Sequence, residues 1–264
     1  VSLRLAAVYA HPDDDTHGNG GILAMEGDNV EYTLVVATSG GAGVIADPSL
    51  ATPDNLTTVR EGEEIRSLEI LGVRQPNVHF LGYPDGELQD VPRDELVARI
   101  VQILLPVRPH VVLTFGPEGV TRHSDHIAAG EAATEAFHRL RLSSGEGSGD
   151  TYRRLLHGAL PKLRWDALWR TLRERGIDVG DPDGPFVPRG VPDDSIAFEV
   201  DCAGVLDRKM EALHAHRTQA SEVDVVPEDL RGTAFGTEYF VQAWPERQAG
   251  GERLHDIFDG LDPT

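Results

Sequence analysis

Leu3-Arg4-Leu5-Ala6-Ala7-Val8-Tyr9 runs directly into Ala10-His11-Pro12-Asp13-Asp14-Asp15. The first stretch is too short for a helix and too uniformly apolar for a half-exposed strand, so it reads as a strand buried on both faces. Such a strand needs covering layers above and below, the setting of a parallel sheet in an α/β protein. The polar run that follows then emerges at a strand end, where these folds keep their functional residues.

Downstream the pattern recurs. Residues 31–37, 78–81 and 111–115 are further short apolar runs that read as strands. Between them lie helical stretches. The segment 54–71 is charged, with Ile65, Leu68 and Leu71 on one face and Gly72 as its stop. Leu96, Val97, Ile100, Val101, Leu104 and Leu105 keep the i, i+3, i+4 spacing up to Pro106, and 127–140 is an Ala-rich helix. This alternation implies right-handed crossovers and a Rossmann-like, doubly wound, mostly parallel sheet. Composition shifts at the Gly/Ser-rich break 143–150. Beyond it a C-terminal elaboration, 151–264, carries a strand at 155–160, a helix at 163–174, a Pro/Gly/Asp-rich loop at 179–192, a strand at 195–200 and a helix at 203–217. One domain over 1–264 is expected, with the core ending near residue 142.

The 264 residues carry a formal charge of −20, which repels phosphate backbones and anionic lipid surfaces, so nucleic-acid partners are not expected. Cys202 is the sole cysteine, which rules out an internal disulfide or a thiolate metal cluster and suits a reducing cytoplasm. No run approaches the roughly 20 apolar residues of a membrane span, and the chain enters a strand without a signal-like segment, although it begins at Val1. The patterning suits a monomer or a homo-oligomer equally.

A second polar cluster, His123-Ser124-Asp125-His126, follows the strand at 111–115 and the loop residues Gly116, Pro117 and Gly119. Imidazole and carboxylate ligands suit a divalent ion, and a catalytic site uses three of them with one position left for water. His11, Asp14 and His126 can supply that set. Asp13 is then left to take a proton from water acidified by the ion, and His123, oriented by Asp125, to stabilise an oxyanion or protonate a leaving amine. The competing reading is helix and turn capping by Asp13 to Asp15 and by Asp125. Ser39-Gly40-Gly41-Ala42-Gly43 lacks both phosphate-loop patterns and reads as an active-site loop. His17 is an alternative ligand; His79, His110, His138 and His157 read as surface or packing histidines.

At these residues the chain resembles the PIG-L/LmbE-type family of metal-dependent de-N-acetylases, whose two signatures stand at Ala10 to Asp14 and His123 to His126. Arg60 with Glu63, Leu71-Gly72, Asp85-Gly86 and the segment 212–219 containing His216 extend the likeness to about Gln219. The resemblance implies zinc on His11, Asp14 and His126, Asp13 as general base, His123 as acid or oxyanion stabiliser and Asp125 as its orienting partner. It further implies sugar-hydroxyl contacts from Arg60 and Asp85, and His216 is a candidate for the pocket lining. Iron suits the same ligands. Asp15 stands where the family usually has Glu, Arg122 where Gly is common and Ser124 where Pro is common. Arg122 is expected to alter substrate fit or depress the His123 pKa. Thr121 stands where mycothiol-pathway deacetylases carry Tyr, which points away from that enzyme in particular. The expected activity is removal of an N-acetyl group from an N-acetylglucosamine-type conjugate. The alternatives are an amidase of thiol-pseudodisaccharide conjugates and a non-enzymatic sugar or nucleotide binder.

Overall fold

The computed structural model describes residues 2–45, 47–144, 150–181, 184, 187–219 and 221–261. Parts of the break at 143–150 and of the loop at 179–192 therefore lie outside the described residues. The strands are β1 (Leu3–Tyr9), β2 (Val30–Thr38), β3 (Asn77–Tyr83), β4 (Val111–Phe115), β5 (Arg154–Ala159), β6 (Phe198–Asp201) and β7 (Thr237–Trp244). They form one sheet in the order β3-β2-β1-β4-β5-β7-β6. β1 to β5 pair in parallel, while β7 runs antiparallel to both β5 and β6. The sheet is thus mostly parallel, with its departure confined to one edge.

β1 is the pivot of this order. Leu5 to Val8 are at most 1% exposed and β4 is buried throughout, so each Val or Leu there contributes about 1.5–3 kcal/mol by leaving water. Covering both faces are helices α1 (Asp14–Glu26), α2 (Leu56–Ile70), α3 (Arg93–Val107), the single turn α4 (Gly119–Arg122), α5 (Ser124–Ser143), α6 (Lys162–Glu174), α7 (Leu206–Ala215), the short α8 (Ser221–Asp224) and α9 (Glu228–Phe235). α3 packs on α5, while α1 and α2 pack on α7. Right-handed crossovers require this split: connections leading from β1 toward β3 cover one face, and those leading through β4 toward β5 cover the other.

Three boundaries differ from the sequence reading. α5 begins at Ser124 rather than 127, because His123 acts as its N-cap: Nδ1 accepts the Asp125 amide at 3.1 Å. α3 runs through Pro106 to Val107 before Arg108 closes it in a left-handed conformation, donating to the Leu104 carbonyl. α7 starts at Leu206, after a 3₁₀ turn at Ala203–Val205. β7 lies in the tail beyond Ala220, where no strand is predicted, and it joins β6 to the sheet.

Candidate metal centre and active site

The strand order reverses at β1. β2 leaves on one side and β4 on the other, the switch point at which α/β folds open a crevice beyond the strands' carboxyl ends. β1 delivers His11 to Asp14 into it, and β4 delivers His123 to His126 through α4 and the start of α5. Two clusters more than a hundred residues apart meet there.

His11 Nδ1 lies 3.2 Å from His126 Nε2. The Asp14 carboxylate closes the group, with Oδ2 3.6 Å from His11 Nδ1 and Oδ1 3.4 Å from His126 Nε2. Ligands held at about 2.0–2.1 Å around a tetrahedral zinc stand roughly 3.3 Å apart, so these spacings fit such an ion. Each imidazole is held on its far side. His126 Nδ1 lies 3.0 Å from the Gly119 carbonyl and the ring stacks on Phe115 at a centroid distance of 4.1 Å. His11 Nε2 is 3.1 Å from Asp85 Oδ1 and 3.4 Å from Asp125 Oδ2. The Gly119 carbonyl fixes the His126 tautomer, and the carboxylates beside His11 Nε2 leave its Nδ1 facing inward. Burial alone would push the His11 pKa down, but Asp125, Asp14 and Asp85 outweigh it and hold it well above the usual value. The cluster therefore calls for positive charge. His126 is shifted downward by burial, with Asp14 opposing. Ligand-type atoms of His11, His123 and His126 also lie within 4.8 Å of one another, as do those of His11, Asp85 and Asp125.

Asp13 occupies a left-handed conformation, φ 103° and ψ −27°, at the head of α1. Its Oδ2 accepts from Arg60 Nη2 at 3.0 Å, and its amide donates to Glu64 Oε2 at 2.9 Å. His123 has its pKa lowered by burial first and then by His11 and His126, and Arg122 is exposed beside it. The Asp125 charge opposes this shift without reversing it. Asp125 directs both carboxylate oxygens elsewhere: Oδ1 to the Leu88 amide, Oδ2 to the Gly86 amide and His11. Its own amide is what meets His123.

The expected substrate contacts sit differently from the sequence reading. Arg60 is 5% exposed and its guanidinium is spent within the fold: Nη2 on the Pro12 carbonyl at 2.8 Å and on Asp13, Nη1 on the Gly40 carbonyl at 3.1 Å. The Ser39–Gly43 loop thus wraps Arg60. Asp85 has one oxygen on His11 and the other on the Ala42 amide at 2.8 Å. His216 is 2% exposed, behind α1, with Nε2 3.2 Å from Thr16 Oγ1; it does not line the crevice. His17 is exposed and faces Phe235. His157 and His110 are buried, held by Thr134 and the Arg4 amide. Thr121 Oγ1 is 3.3 Å from His126 Nδ1.

Glu64 and Phe115 were not singled out from the sequence. Phe115 carried no signal beyond a strand position. Glu64 carried one: Arg60, Glu64, Ser67 and Leu68 share the buried face of α2, so an acid stands on the inward stripe of a charged helix.

The profile described as "PIG-L: GlcNAc-PI de-N-acetylase" matches residues 6–137, which span both clusters. The chain belongs to that family. Among relatives of this GlcNAc-PI de-N-acetylase family member, a 1D-myo-inositol 2-acetamido-2-deoxy-alpha-D-glucopyranoside deacetylase of Kineococcus radiotolerans is 31% identical over 99% of this chain and 84% of its own length. A protein of the same description from Rhodococcus jostii is 31% identical over 98% of each chain. The fold is shared with N,N'-diacetylchitobiose deacetylase from Pyrococcus horikoshii, at a TM-score of 0.59 and 21% identity, covering 99% of this chain and 87% of that one.

Proposed function

We propose that this chain hydrolyses the acetamide of an N-acetylglucosamine-type sugar conjugate, with zinc held by His11, Asp14 and His126. The observation that carries the reading is the meeting of two inward imidazole nitrogens 3.2 Å apart with the Asp14 carboxylate against both. Family membership and the named activity of the relatives support it. When bound, a divalent cation supplies Lewis-acid chemistry, polarising the amide carbonyl and acidifying water.

The remaining steps belong to side chains. Asp13 takes the proton of the attacking water, its carboxylate steadied by Arg60. His123 accepts the Asp125 amide at Nδ1, so its ring proton resides on Nε2, the atom that donates to the developing oxyanion. The C–N bond breaks as the proton passes to the departing amine, and acetate is the second product. A cytoplasmic setting fits the single, buried Cys202. Among the described residues no helix is long and apolar enough to cross a membrane.

Acetate release from N-acetylglucosaminyl-inositol and from simpler N-acetylglucosamine glycosides tests the reading. Chelation is expected to abolish turnover and zinc to restore it, whereas D13N keeps the zinc and loses about 10²–10⁴-fold in kcat. Full turnover after complete metal removal, or in D13N, overturns the mechanism. Faster turnover of cysteinyl amides than of acetamides favours the amidase alternative.

A further inference from the structure

Glu64 is fully buried on the inward face of α2, yet among the described residues no cation pairs with it; Arg60, one helical turn away, is spent on Asp13. Its two oxygens have different surroundings. Oε2 accepts the Asp13 amide at 2.9 Å, while Oε1 has no donor beside it. The neighbouring acid is Asp15, 1% exposed. Burial, with the charge of Asp15 behind it, holds the Glu64 pKa well above the usual carboxylate range. Oε2 is thus a fixed, buried acceptor committed to the Asp13 amide.

Asp13 needs such an acceptor. A left-handed backbone costs a residue with a β-carbon about 1–3 kcal/mol and persists only where its surroundings over-determine it. Asp13 adopts one between His11 and Asp14, and as the residue preceding α1 it makes no side-chain capping bond. Its carboxylate is instead turned to Arg60 on one side, and its amide to Glu64 on the other.

We propose that Glu64 is a positioning residue for Asp13: one carboxyl oxygen clamps the Asp13 amide from the buried face of α2, and the clamp holds the turn that presents the Asp13 carboxylate. The inference rests on Asp13 acting as the base.

The test is shape against charge. E64Q keeps the length and a carbonyl for the Asp13 amide, whereas E64D keeps the acid but is one methylene too short to reach it. With zinc content matched, kcat for acetate release is expected within about threefold of native in E64Q and about 30-fold lower in E64D, with KM little changed, since misplacement of a reacting group by about 1 Å costs up to 10²-fold. The opposite ranking, with E64D active and E64Q impaired, overturns the clamp. So does a folded E64L with native kcat; should E64L not fold, the Gln-against-Asp ranking decides. D13N separates the two readings: a Glu64 series without effect in a chain that D13N inactivates defeats the clamp alone, whereas native kcat in D13N removes the base and the clamp's catalytic consequence together.

Discussion

Arg60 shows how far the identity of a residue is from its use. An arginine in an acidic helix reads as a surface ion pair or a sugar contact, but here the planar guanidinium reaches two carbonyls and a carboxylate at once. A lysine ammonium lacks that fork. Gly40 makes the contact feasible: its φ of +64° is left-handed, and a β-carbon there would fall on the guanidinium. R60M would leave a buried carboxylate and two carbonyls without their donor. We expect about 3 kcal/mol of lost stability in urea unfolding, and about a 100-fold fall in kcat as Asp13 loosens. Unchanged stability with only a raised KM would restore Arg60 to the substrate.

At the scale of elements, α1 decides how the first cluster is held. Asn19 leaves helical geometry, φ −145° and ψ 17°, so the helix breaks in its middle and frees backbone groups. Glu238 of β7 accepts the Gly21 and Ile22 amides at 2.6 and 3.0 Å, and Lys209 of α7 donates to the His17 carbonyl at 3.1 Å and to Glu238 at 2.7 Å. One ion pair, both partners 2% exposed, thus caps both sides of the break. A β-carbon at Gly21 would strike Cys202 and the Glu238 carboxylate, so glycine permits the approach. K209M strands a buried carboxylate, and a loss of about 3–5 kcal/mol is expected. K209M/E238Q should recover part of it in chemical denaturation. An additive double variant would mean that the two residues act separately.

For the whole molecule, buried neutral histidines set how stability responds to acid. His157 is 9% exposed, with Nε2 3.0 Å from Thr134 Oγ1; burial, reinforced by His138, pushes its pKa down to about 4. His216 is pushed down to about 3 by burial, with His17 and Arg60 adding. Below an unfolded value of about 6.5 the unfolded chain takes up a proton that the folded chain refuses. The contribution of His157 is therefore complete above that pH and is lost as pH falls toward about 4. Native unfolding free energy should drop from pH 7 to pH 5, and H157Q should drop by about 1–2 kcal/mol less. Equal slopes for the two proteins would show that His157 does not carry the effect.

The sequence by itself determined the parallel core and the residues of both clusters. Apolar runs such as 3–9 and 111–115 must be buried on both faces, and the polar residues that follow them must then emerge at strand ends. Periodicity reports the environment of a residue, however, and not its partner. Only the tertiary structure decided that His11 Nε2 turns to Asp85 and Asp125, that Arg60 and His216 are buried within the fold, and that Glu64 lies under Asp13. It also decided that β7, in a tail without a legible pattern, enters the sheet beside β5 and brings Glu238 to α1. Each of these is a contact between segments far apart in the chain, and it is chosen by how packed layers bring side chains together.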